Sequence, residues 1–162
     1  MSIQEFADLT VELRTEFNHG VTKSYRWRYD QLGALLALVD SEESRILQAL
    51  RDDLGKPRVE ALSAEILFIR GEVQRARSAL KGWMKPKRAS TPLILKPAQA
   101  WIYPDPLGVV LIIGPWNYPF QTVLSPLIGA IAGGNCAVIK PSEMTPNTSS
   151  LIFGIPTIFE TT

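Results

Sequence analysis

The chain has 162 residues, 46% of them hydrophobic and 20% charged, with a formal net charge of +1. That is the composition of one ordinary globular domain with a real core, and the near-neutral charge leaves no electrostatic footprint for nucleic acid. A single cysteine, Cys136, and a single histidine, His19, exclude an intrachain disulfide, a zinc ligand set and any other cysteine-rich metal site, so no metal is expected.

The opening "MSIQEFADLTVEL" carries acidic residues and no apolar signal core, which makes the cytoplasm the default expectation. Apolar positions Ile3, Phe6, Leu9, Leu13 and Phe17 recur at threes and fours, predicting a first helix that Gly20 closes. His19, in the polar run "NHG", reads as an exposed helix-end residue rather than a catalytic base. A second helix is predicted over residues 22–39. A third has Ser41 as N-cap and Glu42 and Glu43 in its first turn, and stops at Gly55. Pro57 suits the first position of a long fourth helix. Its stripe is Val59, Leu62, Ile66, Ile69, Val73, Ala76 and Leu80, ending near Trp83. The basic "KPKR" at 85–88 reads as its solvated end.

Proline-punctuated "TPLILKPAQAWIYPDPLG" predicts an antiparallel excursion of residues 93–95 and 99–103. "GVVLII" is a continuous apolar run of the kind found in parallel strands covered on both faces. A small-residue helix over 119–132 follows, ended by two glycines, and then "CAVIK" as the next strand. "PNTSSLIFGI" predicts a last helix with Thr145 as N-cap and Pro146 at the first position. Strand, helix, strand, helix makes one βαβ crossover, the opening of a doubly wound sheet.

From Pro106 to Ile139 no residue is charged, which raises a membrane reading. Pro115, Pro119, Pro126 and "GGN" interrupt the run, and a span needs about 20 continuous apolar helical residues. The buried α/β reading is therefore preferred, with no membrane span. Taken from the residues alone, Asn117 in "GPWNYP" reads as a helix N-cap ahead of Pro119. Lys140 then simply ends a strand, and Glu143 sits in a solvated loop.

"PLGVVLIIGPWNYPF", "PLIGAIAGGNCAVIKPSEMTPNTSSL" and "RWRYDQLGALLALV" together resemble the aldehyde dehydrogenase superfamily, in particular its class 3 or fatty-aldehyde type. The resemblance covers nearly the whole chain and corresponds to the N-terminal portion of that family. It implies NAD- or NADP-dependent oxidation of an aldehyde substrate to a carboxylic acid, through a thiohemiacetal on a catalytic cysteine. It assigns Asn117 to donate its amide to the developing oxyanion, a task that needs donors already aimed at the forming charge. It assigns the backbone of Ile113, Gly114, Pro115 and Trp116 to the nicotinamide side of the cofactor. Lys140, Ser142 and Glu143 of "KPSE" fall to the cofactor, with Lys140 and Glu143 on the adenosine ribose.

Cys136, at the start of a strand, is not that family's nucleophile and reads as a small buried apolar residue. The family's nucleophile and general-base segments have no match here. The expectation is therefore an α/β chain with a helical lead-in over 1–85, oligomerisation-type strands over 92–104, and the start of a truncated Rossmann-like cofactor-binding domain over 106–162. Such a chain should be inactive alone and prone to self-association through bare strands and helices. The alternative is a non-catalytic relic or interaction protein that binds nucleotide weakly at most.

Overall fold

A computed structural model describes residues 3–154. The end of the last predicted helix and the tail after it, residues 155–162, lie outside the described residues. Helix α1 (Ile3–His19) ends as expected at Gly20, whose φ of 81° is the left-handed conformation that glycine adopts without strain. The second helix starts later than its apolar pattern suggests. Residues Val21–Lys23 form a 3-10 turn, and α2 (Tyr25–Ser41) is capped by Ser24, whose Oγ accepts from the Trp27 N–H.

Ser41 is not the N-cap of α3 (Glu43–Leu54). It remains in the last turn of α2 and its hydroxyl donates to the Leu38 carbonyl at 3.0 Å, while Glu42 joins the two helices without a side-chain cap. Local back-bonding has won over capping there. Gly55 ends α3 at a φ of 63°. Pro57 is the cap residue of the next helix rather than its first helical residue, because its ψ of 142° is extended. That helix is one rod in three parts: a first turn α4 (Arg58–Glu60), a π-helical stretch Ala61–Leu67, and α5 (Phe68–Trp83).

The antiparallel excursion exists, but with a different partner. Strand β1 (Lys87–Ala89) pairs with β2 (Ala100–Ile102), while Leu93–Leu95 forms a 3-10 turn at the reversal. Pro92 and Pro97, which lack N–H groups of their own, flank that turn, and the Leu95 and Lys96 N–H groups bond locally to the Pro92 and Leu93 carbonyls instead of to a neighbouring strand. Strands β3 (Val109–Ile113) and β4 (Cys136–Lys140) are parallel, in register from Val109 opposite Cys136 to Ile113 opposite Lys140. Helix α6 (Gln121–Gly133) is the crossover between them, beginning two residues later than its proline signal. Helix α7 (Pro146–Phe153) follows β4.

Thr145 holds the N-cap position of α7 with Pro146 at the start of the helix, as expected, but its side chain does not cap, since its hydroxyl donates to the Ser142 carbonyl. The cap arrives from α3: the Asp53 carboxylate accepts from the backbone N–H groups of Asn147 (3.0 Å) and Thr148 (2.7 Å). Burial pushes the Asp53 carboxyl upward, but the hydrogen bonds from Thr148 and Asn147 more than offset it and hold the group below its usual range.

The core is a helical layer. Leu32, Leu35 and Val39 of α2, Ile46 and Leu50 of α3, and Ile69, Val73 and Leu80 of α5 are fully buried together with Phe120, Val123 and Ile131 around α6. The two-stranded β3–β4 sheet lies at the margin of this layer. Its first strand is not covered on both faces, because Leu111 and Ile113 are 52% and 64% exposed. No helix among the described residues is long and apolar enough to cross a membrane.

Candidate active site

Parallel strands present their carboxyl ends to ligands in open α/β sheets, and both clusters of candidate residues lie at that end. Residues 114–119 leave β3, and Lys140 closes β4 directly beside them: the Gly114 N–H donates to the Lys140 carbonyl at 3.0 Å. Gly114 is buried, and a Cβ there would collide with Val123 Cγ2, so only glycine lets the strand leave this close to α6. Pro115 and Trp116 then turn outward and are exposed, as is Asn117.

The N-cap reading of Asn117 does not hold. Helix α6 has Phe120 at its cap position, without a side-chain cap of its own. The carboxylate of Glu65 does the capping: Oε2 accepts from the Phe120 N–H at 2.9 Å and the Gln121 N–H at 3.1 Å. Glu65 is fully buried in the π-helical stretch, and its Oε1 pairs with the Nζ of buried Lys56. Lys56 Nζ also lies 3.7 Å from the centroid of the Tyr118 ring, a cation–π contact on the residue next to Asn117. The Asn117 side chain is thereby left without a partner among the described residues.

Lys140 and Glu143 are brought together, Nζ to Oε2 at 2.8 Å, with side chains 57% and 78% exposed. The hydrogen bond from Lys140, helped by its charge, holds the Glu143 carboxyl below its ordinary value. Ser142 faces inward and is buried. Its Oγ accepts from the Met144 N–H and its carbonyl accepts from the hydroxyls of Thr145 and Ser149, so it shapes the loop rather than opening to solvent.

Cys136 is 4% exposed and lies at the amino end of β4, the opposite end of the strand from Lys140. Burial, reinforced by Glu16 and opposed by Arg14, pushes its thiol up from the ordinary value, the reverse of an activated nucleophile. No group of three or more His, Cys, Asp or Glu among the described residues could hold a metal ion.

Lys56 and Glu65 were not singled out by sequence reasoning. A glutamate between Ala64 and Ile66 on an otherwise apolar helical stripe is the one trace they leave. Arg28 went unremarked for the same reason. It is buried and donates to the carbonyls of Thr22, Lys23 and Ala132, tying the start of α2 to the end of α6.

A two-stranded parallel sheet with its crossover helix is the beginning of a Rossmann-like fold. The aldehyde dehydrogenase family pattern matches residues 16–157, and the chain belongs to that family. It is 47% identical over 148 residues to aldehyde dehydrogenase family 3 member H1 of Arabidopsis thaliana, covering 91% of this chain and 31% of that protein. A substrate-bound structure of Staphylococcus aureus AldH superposes with a TM-score of 0.88 at 47% identity, over 94% of this chain and 33% of that one. Succinic semialdehyde dehydrogenase from Streptococcus pyogenes, solved with NADP+, has the same fold at a TM-score of 0.81 and 19% identity, covering 94% and 32%. The chain thus spans about a third of the length of the relatives it matches.

Proposed function

We propose that this chain supplies the oxyanion donor and the cofactor-facing rim of an NAD- or NADP-dependent aldehyde dehydrogenase. The observation that carries the proposal is the Asn117 amide, exposed and unpartnered at the carboxyl end of β3, its capping role taken over by Glu65. When a nucleophile adds to an aldehyde carbonyl, the oxygen gains a full negative charge. A preset N–H donor lowers that barrier because it need not reorganise as the charge appears.

The rim fits a dinucleotide on chemical grounds. Lys140 and Glu143 offer a cation and an acceptor, both exposed, where ribose hydroxyls would be recognised, and Ile113 to Trp116 bring backbone close beside them. Ser142 supports this loop from within. The bound cofactor would accept the hydride; this chain's part is to hold it and to stabilise the oxyanion.

By itself the chain does not turn over aldehyde in this reading. The only thiol is Cys136, and it is buried with its pKa raised. The test joins residues 1–162 to the remaining segments of the Staphylococcus aureus relative and follows reduced cofactor with a medium-chain aldehyde. Asn117→Ala should lower kcat by about 10²–10³, the scale of one oxyanion donor, with cofactor affinity unchanged. An unaltered kcat overturns the assignment. The unjoined chain should give no signal above blank, and turnover abolished by Cys136→Ser would show that the nucleophile is here after all.

A further inference from the structure

A buried ion pair behind the turn has no role in the chemistry above, and apolar groups of similar volume often replace such a pair with no loss of stability. Glu65 is completely buried and Lys56 nearly so. We propose that Lys56 and Glu65 are positioning residues that hold the Asn117 amide where the oxyanion forms. This inference rests on the oxyanion reading of Asn117.

The contacts grip the turn on both sides of Asn117 without touching it. On the following residue, the Lys56 ammonium sits under the Tyr118 ring, 3.7 Å from its centroid. Three and four residues on, the Phe120 and Gln121 N–H groups both end on Glu65 Oε2. One carboxylate thus links the two grips, because its other oxygen holds Lys56. On the preceding side Gly114 is fixed by its hydrogen bond to the Lys140 carbonyl and by its close approach to Val123.

A helix start of this kind ordinarily satisfies its N–H groups with a local Asn, Ser, Thr or Asp. The local candidate here is Asn117, and using it would consume the side chain the reaction needs. A carboxylate delivered from another helix removes that competition. It also explains why the charge sits in the π-helical stretch Ala61–Leu67, an irregularity often found at functional sites. Lys56 neutralises the carboxylate and at the same time pins the neighbouring aromatic ring. Small displacements of a donor are expensive in rate, on the order of 10²-fold for about 1 Å.

The test uses the joined enzyme described above, with Lys56→Met/Glu65→Gln as a neutral pair of similar volume in which the Gln carbonyl can still accept from α6. The substitutions are made with Asn117 present and in an Asn117→Ala background. With Asn117 present, kcat should fall by about 10- to 10²-fold while cofactor Kd stays within about twofold. In the Asn117→Ala background the further loss should vanish, since a residue acting through Asn117 has nothing left to position. Tyr118→Leu, which leaves the buried pair intact, should show the same dependence and serves if the paired variant does not fold.

Losses that add in full to that of Asn117→Ala, or an unaltered kcat in a folded variant, overturn the inference while leaving the oxyanion role standing. An Asn117→Ala enzyme with normal kcat overturns the oxyanion role, and the positioning role with it.

Discussion

Ile69 and Ile113 are the same side chain in two settings, and they summarise two regions of the molecule. Ile69 lies in the helical layer with no exposed surface, whereas Ile113 at the end of β3 is 64% exposed. Around Ile69, the apolar stripes of α2, α3 and α5 pack into one buried cluster together with Phe120, Val123 and Ile131 around α6. Around Ile113, a wholly apolar strand has one hydrogen-bonded neighbour among the described residues, β4, and Leu111 beside it is also half open. Apolar content therefore predicts burial only where the partner surface is at hand.

The contrast is broken most directly at those two positions. Ile69→Ala should destabilise the chain by about 2–5 kcal/mol in urea unfolding, the cost of a buried large-to-small change. Ile113→Thr should alter stability by less than about 0.5 kcal/mol, as an exposed substitution does. The same change should weaken self-association, which exposed apolar patches drive. Sedimentation should show the parent forming oligomers and Ile113→Thr shifting toward monomer. A parent that stays monomeric on concentration would remove the open-strand half of the contrast.

Gly114 marks the seam between the two regions. Gly114→Ala should cost about 1–3 kcal/mol by driving a methyl group into Val123, and Val123→Ala should recover part of that loss. Thermal or urea midpoints of the two single variants and the double variant check it. Independent, additive losses would mean that the close approach of strand and helix is not the constraint.

Asp53 crosses the same seam more gently, from α3 to the start of α7. Its carboxyl is held below the usual range, so its stabilisation is fully present above about pH 4, the unfolded value, and is lost as pH falls through the lower folded value. Asp53→Asn should cost about 1 kcal/mol at neutral pH, the common scale of a lost cap. The difference between parent and variant should shrink toward pH 3. Parallel stability curves across that range would show that the carboxylate's charge is not what secures α7.

Much of this architecture was readable from local pattern. Periodicity at threes and fours located the four helical segments of the first half, because a helix exposes its buried stripe at that spacing whatever it packs on. The run of β-branched residues and the glycine pair around α6 located β3, α6 and β4, and Cys136 was correctly read as a buried side chain. Caps fared worse. Ser41, Thr145 and Asn117 all carry good capping side chains, yet none of those side chains caps its helix, although Thr145 does hold the N-cap position of α7. Leu93–Leu95 had strand-forming residues, but two flanking prolines and the demands of the reversal made it a turn.

The sequence by itself determined the helices of the first half and the βαβ order, and it singled out "GPWNYP" and "KPSE", which follow the two parallel strands at their carboxyl ends. These are properties of short stretches, set by backbone preference and by which residues repeat on one face. Tertiary structure alone decided that Glu65 rather than Asn117 caps α6, that Asp53 caps α7, and that Lys56 lies beneath Tyr118. Each of these joins residues far apart in the chain, and a buried carboxylate becomes tolerable only when distant N–H groups and a cation converge on it. No local pattern records that convergence, and it is what leaves the Asn117 amide free.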